Sequence, residues 1–285
     1  MSRIVYVNGK FVPEEDAKVS VFDRGFLFAD GVYEVSSVLH GKLIDNEGHM
    51  IRLNRSLNEL EMAHPYTDAE IESIQHELIK RNNLEEGLIY LQVTRGAADR
   101  DFAYPKDAQP TLVLFTQTKN ILSNAIAETG ISVITVDDIR WARRDIKTVG
   151  LLAPCMAKMQ AKAAGADDAW MVEDGHITEG SSNNAYIVTQ DGTIVTRYIG
   201  NQILNGITRR AVMALAEKHD YKIEERLFTV EECHNAAEAF ITSASMFVQA
   251  VVKIDGTVIG DGKPGTIAKQ LREASIAEAL SAIGA

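Results

Sequence analysis

Lys147 lies at the end of a dense charged run, Asp137-Asp-Ile-Arg-Trp-Ala-Arg-Arg-Asp-Ile-Lys-Thr148, with apolar segments on both sides. Arg140, Arg143 and Arg144 are its near neighbours in sequence. A lysine among other cations loses its proton more easily and can act as a nucleophile. The same run also reads as a solvated charged loop. Thr178-Glu-Gly-Ser-Ser-Asn-Asn184 sets one carboxylate, Glu179, beside the hydroxyls of Ser181 and Ser182 and two amides, just before an apolar strand. It reads as a polar turn or as a polar-ligand loop whose buried Glu179 could hold a positive charge on a ring nitrogen.

Asn205-Gly-Ile-Thr-Arg-Arg210 opens a helix, and Ile241-Thr-Ser-Ala-Ser245 ends a strand with hydroxyls. Backbone N–H groups at a helix start, with the Thr208 hydroxyl, make an anion site. An ordinary helix start has the same look. Arg52 could complete a phosphate clamp, although a lone arginine is more often a surface charge. A nucleophilic lysine, a carboxylate for a ring nitrogen and a phosphate cradle are together what pyridoxal phosphate requires.

The elements that must position these groups alternate strand and helix. Asn8-Gly9 joins Ile4–Val7 to Lys10–Val12 as a tight hairpin, because type I′ turns need positive φ at both central residues. Val32–Leu39 and Leu43-Ile44 read as a second hairpin. Met50, Leu53, Leu57 and Leu60 recur at helical spacing within Asn46–Ala63. Thr67-Asp-Ala-Glu70 is a capping box opening the next helix. Strands follow at Leu88–Thr94 and Thr111–Phe115, separated by a long polar loop, Arg95–Pro110. Loops of that length in a compact domain are usually functional or disordered. Later strands are expected at Ile131–Val136, Trp170–Glu173, Ala185–Thr189, Thr193–Arg197, Ala239–Ser243, Val251–Ile254 and Thr257–Ile259. Helices are expected over Leu151–Ala164, Ile207–His219 and Pro264–Ile283. The pattern is α+β, a mixed α/β chain in two halves. We place an N-terminal domain over 1–118, a linker over 119–126 and a C-terminal domain carrying Lys147 over 127–285. Gly260-Asp-Gly-Lys-Pro-Gly265 matches a dinucleotide-binding fingerprint in letters only. Too little chain follows it for the second strand of a βαβ unit, so turn chemistry explains it better.

The 285 residues are 46% hydrophobic and 24% charged, an ordinary soluble composition. A net charge of −11 without a basic stripe argues against nucleic acid. No apolar run is long enough to span a membrane, and the start shows no signal-peptide architecture. The two cysteines, Cys155 and Cys233, form no CxxC and read as small buried residues in a reducing cytoplasm.

Several segments carry a resemblance in their joint order and spacing. They are Asp23-Arg-Gly-Phe-Leu-Phe-Ala-Asp-Gly-Val-Tyr-Glu-Val35, His49-Met-Ile-Arg-Leu53, Val93-Thr-Arg-Gly96, Asp145-Ile-Lys147, Thr178-Glu-Gly-Ser-Ser182 and Gly206-Ile-Thr-Arg209. The sequence resembles the fold-type IV pyridoxal-phosphate enzymes, and among them the D-amino acid aminotransferases, over nearly its whole length. The resemblance implies a two-domain fold with pyridoxal 5'-phosphate between the domains, and a homodimer that completes the site. It makes Lys147 the Schiff-base lysine and proton shuttle, and Glu179 the partner of the pyridine nitrogen. Arg52, Ile207, Thr208 and the region of Ser243 and Ala244 would hold the phosphate, and Arg140 would lie near the phenolic oxygen. Ser181 and Ser182 would also face the cofactor. Tyr33 and Val35 would line the substrate pocket, and Arg100 would reach the substrate carboxylate in the neighbouring subunit. The expected reaction is ping-pong transfer of an amino group from a D-amino acid to a 2-oxo acid.

Two positions depart from the family pattern. Arg100-Asp-Phe102 stands where Arg-x-His is usual, and Ala244 stands where a phosphate-binding threonine is usual. Branched-chain L-amino acid aminotransferases, aminodeoxychorismate lyases and (R)-selective amine transaminases share the fold and remain open. A silent small-molecule binder is the alternative outside enzymes. Tyr33-Glu34-Val35 and Arg100 favour the D-amino acid reading over the branched-chain one, and Phe102 leaves room for amines.

Overall fold

The computed structural model describes residues 2–284, which divide into two compact units. The first runs to Asn120 and takes in Ile146–Gly150 and the residues from Leu280 onward. The second comprises Ile121–Asp145 and Leu151–Ala279.

The first unit contains β1 (Ile4–Val7), β2 (Lys10–Pro13), α1 (Arg24–Phe28), β3 (Gly31–Leu39), β4 (Lys42–Leu43), α2 (Asn46–Glu59), α3 (Asp68–Arg81), β5 (Glu86–Thr94) and β6 (Thr111–Thr118). Among the described residues its sheet has the order β2-β1-β6-β5-β3-β4. Asn8 at φ 43° and Gly9 at φ 89° make the turn expected between β1 and β2. Alternation along β5 sends Ile89, Leu91 and Val93 into the core and leaves Leu88, Tyr90 and Gln92 half-buried. The apolar stripes of α2 (Met50, Leu53, Leu57) and α3 (Ile71, Leu78, Ile79) join that core. Full burial of each such side chain contributes about 1.5–3 kcal/mol. The Thr67–Glu70 capping box opens α3 as its sequence requires. Helix α2 stops at Glu59, earlier than expected, because Glu61 turns left-handed at φ 49°. The Met62 N–H then donates to the Leu57 carbonyl and closes the end as a Schellman motif.

Residues 146–149 extend the edge of β3. The Tyr33 N–H donates to the Lys147 carbonyl at 3.0 Å, and the Val149 N–H donates to the Gly31 carbonyl at 3.0 Å. Thr148 bridges Val32 antiparallel, and Ile146 is buried among the core residues of α2 and α3. A boundary drawn along the sequence assigns Lys147 to the C-terminal domain; these backbone bonds and the burial of Ile146 assign it to the first unit instead.

The second unit contains α4 (Ala125–Thr129), β7 (Ile131–Asp137), α5 (Leu152–Ala163), β8 (Asp168–Glu173), β9 (His176–Gly180), β10 (Asn184–Val188), β11 (Ile194–Thr196), α6 (Ile207–Lys218), β12 (Ile223–Glu225), α7 (Val230–His234), β13 (Glu238–Ser243), β14 (Phe247–Ile254) and β15 (Thr257–Val258). Most of α8 (Thr266–Ala282) belongs to it as well. Its sheet runs β12-β11-β10-β13-β14-β7-β8-β9, with β15 paired to β14. One core gathers Trp170, Ile177, Ile187, Phe228 and Ile241; another gathers Tyr186, Val212, Leu215, Phe240 and Leu271.

Strand β9 corrects the reading of 178–184 as a turn throughout. Thr178, Glu179 and Gly180 lie in a strand paired antiparallel to β8. All three are buried, polar side chains included, so no apolar alternation marks the strand. Gly260 (φ 58°) and Gly262 (φ 79°) form a turn, as their position after a hairpin suggested. Cys233 is buried as expected, whereas Cys155 is exposed on α5, because that helix turns Ala157 and Ala161 inward. Among the described residues, no helix is long and apolar enough to cross a membrane.

Candidate active site

In the first unit the Lys147 amine stands 4.1 Å from the centroid of the Tyr33 ring. Tyr33 stacks on Tyr90 at 5.6 Å, and Tyr90 on Phe115 at 4.7 Å, so three strands contribute one aromatic row. Val35 lies on the same half-buried face as Tyr33, two residues along β3. Glu34, between them, points to the opposite face and is buried. There its carboxylate accepts from Arg52 Nε and Nη2, both at 2.7 Å, and meets His49 Nδ1 at 2.7 Å. His49 and Arg52 are three apart on α2, so they present neighbouring groups on one helix face. Burial alone would raise the Glu34 carboxyl; the charge and hydrogen bonds of Arg52, with those of His49, outweigh it and hold the pKa at about 2. The bidentate grip fixes the Arg52 guanidinium in one orientation.

In the second unit Glu179 is buried, and its Oε1 accepts from Arg140 Nη1 at 2.5 Å. Its Oε2 accepts from Asn184 Nδ2 and from the Leu204 N–H, each at 3.0 Å. Arg140 donates through Nε and Nη2 to Asp138, and Thr178 Oγ1 donates to the same carboxylate at 2.7 Å. One guanidinium thus links two acids with different environments. Burial raises the Asp138 carboxyl, but hydrogen bonds and charge from Arg140, with Thr178 and Arg144, bring it below the usual range. Burial dominates at Glu179 and pushes it above that range, against the pull of Arg140 and the Leu204 N–H.

The arginines of the charged run do not form a bare cationic cluster. Arg140 pairs with Asp138 and Glu179, Arg143 with Asp145, and Arg144 with Glu173. Arg144 is 7% exposed, so it is not a solvated surface charge, as its position in the run suggested. Each guanidinium of the run is thus matched to a carboxylate.

Helix α6 begins at Ile207, which is buried, with Thr208 next to it in the first turn. Its N-cap is Gly206, which supplies no capping side chain. A Cβ on Gly206 would lie 2.2 Å from Asn184 Oδ1. We therefore expect Gly206→Ala to displace the Asn184 amide from Glu179 and to lower stability by about 1–3 kcal/mol, measured by chemical denaturation. Ser181 donates its hydroxyl to Asp168, and Ser182 is exposed. Ser243 and Ala244 lie half-buried where β13 ends, and the Ser243 and Ser245 hydroxyls are 3.5 Å apart. Arg100 and Phe102 are both exposed in the long loop of the first unit. The Arg100 guanidinium lies 5.2 Å from the Phe28 ring and 5.6 Å from that of Phe102.

Residues 31–254, which include both units' polar clusters, match the family described as Amino-transferase class IV. The chain belongs to the class IV aminotransferases. It is 40% identical over 270 residues to a D-alanine aminotransferase of Staphylococcus haemolyticus, covering 94% of this chain and 95% of that protein. A T.th. branched-chain amino acid aminotransferase, solved with N-(5'-phosphopyridoxyl)-L-glutamate, is similar at TM-score 0.87 and 28% identity over 97% of this chain and 93% of that one. The Escherichia coli branched-chain aminotransferase shares the fold at TM-score 0.92, with 23% identity over 98% of this chain and 95% of that one.

For a class IV aminotransferase, the sequence reading left out the residues that hold the candidate groups in place. They are Glu34 on Arg52, with His49 on Glu34, Asp138 on Arg140, and Asn184 on Glu179. Asn184 lay within the polar stretch singled out, His49 within the segment containing Arg52, and Glu34 within the segment ending at Val35, so a signal was present for those three. Asp138 sat in the charged run as one acid among several.

Proposed function

We propose that this chain is a pyridoxal 5'-phosphate-dependent aminotransferase that moves the amino group of a D-amino acid such as D-alanine to a 2-oxo acid such as 2-oxoglutarate. The reading is carried by the Lys147 amine, held over Tyr33 by the β3 backbone, in a chain 40% identical to a D-alanine aminotransferase.

The residues fit the cofactor by their chemistry. Lys147 would attach it covalently, and Glu179, a buried carboxylate, would balance a protonated ring nitrogen. Arg52, oriented by Glu34, and the start of α6 at Ile207 and Thr208 offer N–H donors suited to a phosphate. Arg140 would act on the cofactor through Glu179, its direct partner. When bound, the cofactor accepts the electron pair left on the substrate's α-carbon. The Lys147 amine would take the α-proton as a general base and then give it, as a general acid, to the cofactor instead of back to the α-carbon. Tyr33 and Val35 would face the substrate. A second copy of the chain would complete the site, with the exposed Arg100 reading the substrate carboxylate of its partner.

Protein loaded with pyridoxal phosphate should lose its visible absorption on addition of D-alanine, with one pyruvate formed per cofactor, and should keep it with L-alanine. Bleaching by L-leucine alone would assign a branched-chain L-amino acid instead, and bleaching by an (R)-amine alone would assign an amine donor.

A further inference from the structure

The long polar loop that carries Arg100 and Phe102 is tied to a buried ionic cluster whose centre is Asp30. Asp30 lies two residues past the end of α1, after the left-handed Ala29, and its Oδ2 accepts from Arg24 Nε at 2.7 Å and from Arg95 Nε at 2.8 Å. Arg95 Nη2 reaches Oδ1 at 3.2 Å. The side chains of all three residues are less than a tenth exposed.

Both arginines reach beyond Asp30. Arg24 Nη1 donates to the Asp101 carbonyl at 2.6 Å and lies 3.4 Å from that of Ala103, the residues on either side of Phe102. Its guanidinium stacks on Phe28 at 4.6 Å, and Phe28 in turn meets Phe102 at 5.6 Å and Arg100 at 5.2 Å. Arg95 donates to the carbonyls of Leu60 and Glu61 behind it, and its guanidinium stands 3.5 Å from the centroid of the Tyr104 ring. The loop's first residues are also fixed, by the Arg24 N–H on the Gly96 carbonyl and the Ala98 N–H on the Phe22 carbonyl. Gly96 takes φ 96°, and a Cβ there would sit 1.9 Å from the Gln109 carbonyl oxygen, so only glycine lets the two ends of the loop approach.

We infer that Asp30 is a positioning residue for substrate recognition: through Arg24 it fixes the backbone at Asp101 and Ala103, through Arg95 it anchors the Tyr104 ring just beyond them, and so it sets where Arg100 and Phe102 stand. A carboxylate is needed at this point because two buried guanidiniums converge on it. Neither arginine is then available to a substrate: Arg24 ties Asp30 to the loop backbone, and Arg95 ties it to the end of α2 and to the Tyr104 ring. The inference deepens the function proposed above and rests on its assignment of Arg100 to the substrate carboxylate.

The test uses the enzyme loaded with pyridoxal phosphate. Asp30→Asn should raise KM for D-alanine by about tenfold or more while kcat stays within about threefold, because the carboxylate grip loosens and the proton-transfer groups do not. Amide hydrogen exchange over residues 97–104 should quicken by about tenfold or more in the same variant. Arg24→Lys keeps a cation but cannot span Asp30 and the Asp101 carbonyl together. It should show the same split, and it decides the matter if Asp30→Asn does not fold. Unchanged exchange in the loop, or a fall in kcat with KM unaltered, overturns the proposal. Arg100→Ala serves as the control for the underlying reading. If it leaves KM unchanged, the assignment of Arg100 falls on its own account, and the exchange measurement alone then decides whether Asp30 fixes the loop.

Discussion

Lys147→Ala should leave a folded protein that has lost the visible absorption of bound cofactor and nearly all turnover. The backbone of residue 147 is held by the Tyr33 N–H, and Ile146 supplies the burial, so neither depends on the lysine side chain. What disappears is the amine over the Tyr33 ring. A group serving as both covalent anchor and proton carrier contributes more than a general base alone, so a loss of at least ~10³-fold in kcat is expected. Circular dichroism and thermal melting would show the retained fold, and stopped-flow with D-alanine the lost reaction. Turnover within tenfold of the parent enzyme would sink the assignment of Lys147.

Glu34→Gln should cost more stability than any other single change considered. The carboxylate is 1% exposed and faces one guanidinium through two bonds and one imidazole through a third. A neutral amide leaves Arg52 buried without its counter-charge, which costs about 3–5 kcal/mol. That corresponds to a fall in melting temperature on the order of 10 °C. Arg52 also loses its fixed orientation, so affinity for pyridoxal phosphate should fall with the stability; equilibrium dialysis would measure it. The same pair gives a pH dependence of known sign. The Glu34 pKa lies at about 2 in the folded chain, against 4.5 for an ordinary glutamate. The unfolded chain therefore binds the proton first as pH falls. The contribution, on the order of 3 kcal/mol, is complete above about pH 5 and is lost as pH drops towards 2. Denaturant titrations of the parent protein and Glu34→Gln between pH 6 and pH 3 should converge. A constant difference across that range would refute this account of Glu34.

The sequence carried those features that a few neighbouring residues determine. Asn8-Gly9 dictated its hairpin, Thr67 and Glu70 their capping box, and the stripe Met50, Leu53, Leu57 its helix, because turn dihedrals, caps and helical periodicity act over a handful of positions. Strand β9 escaped because its residues are polar and buried together, which leaves no alternation to read. The left-handed Glu61 that ends α2 escaped because a non-glycine residue there carries no composition cue.

Within the candidate site the division is the same. Residue types alone set out a lysine, a carboxylate, an arginine and a helix start, and the order of the motifs carried the family. Tertiary structure decided which of them meet. Arg52 finds Glu34 at a separation of 18 residues, and Arg140 finds Glu179 at 39. Lys147 takes its place from an edge pairing with β3, far earlier in the chain. Such contacts depend on strand pairing and on burial that makes an unpaired charge costly. Neither leaves a periodic trace along the chain, so the charged run around Lys147 looked like free cations until the fold paired Arg140 with Glu179 and Arg144 with Glu173 from elsewhere and set Asp138 and Asp145 of the run itself against Arg140 and Arg143.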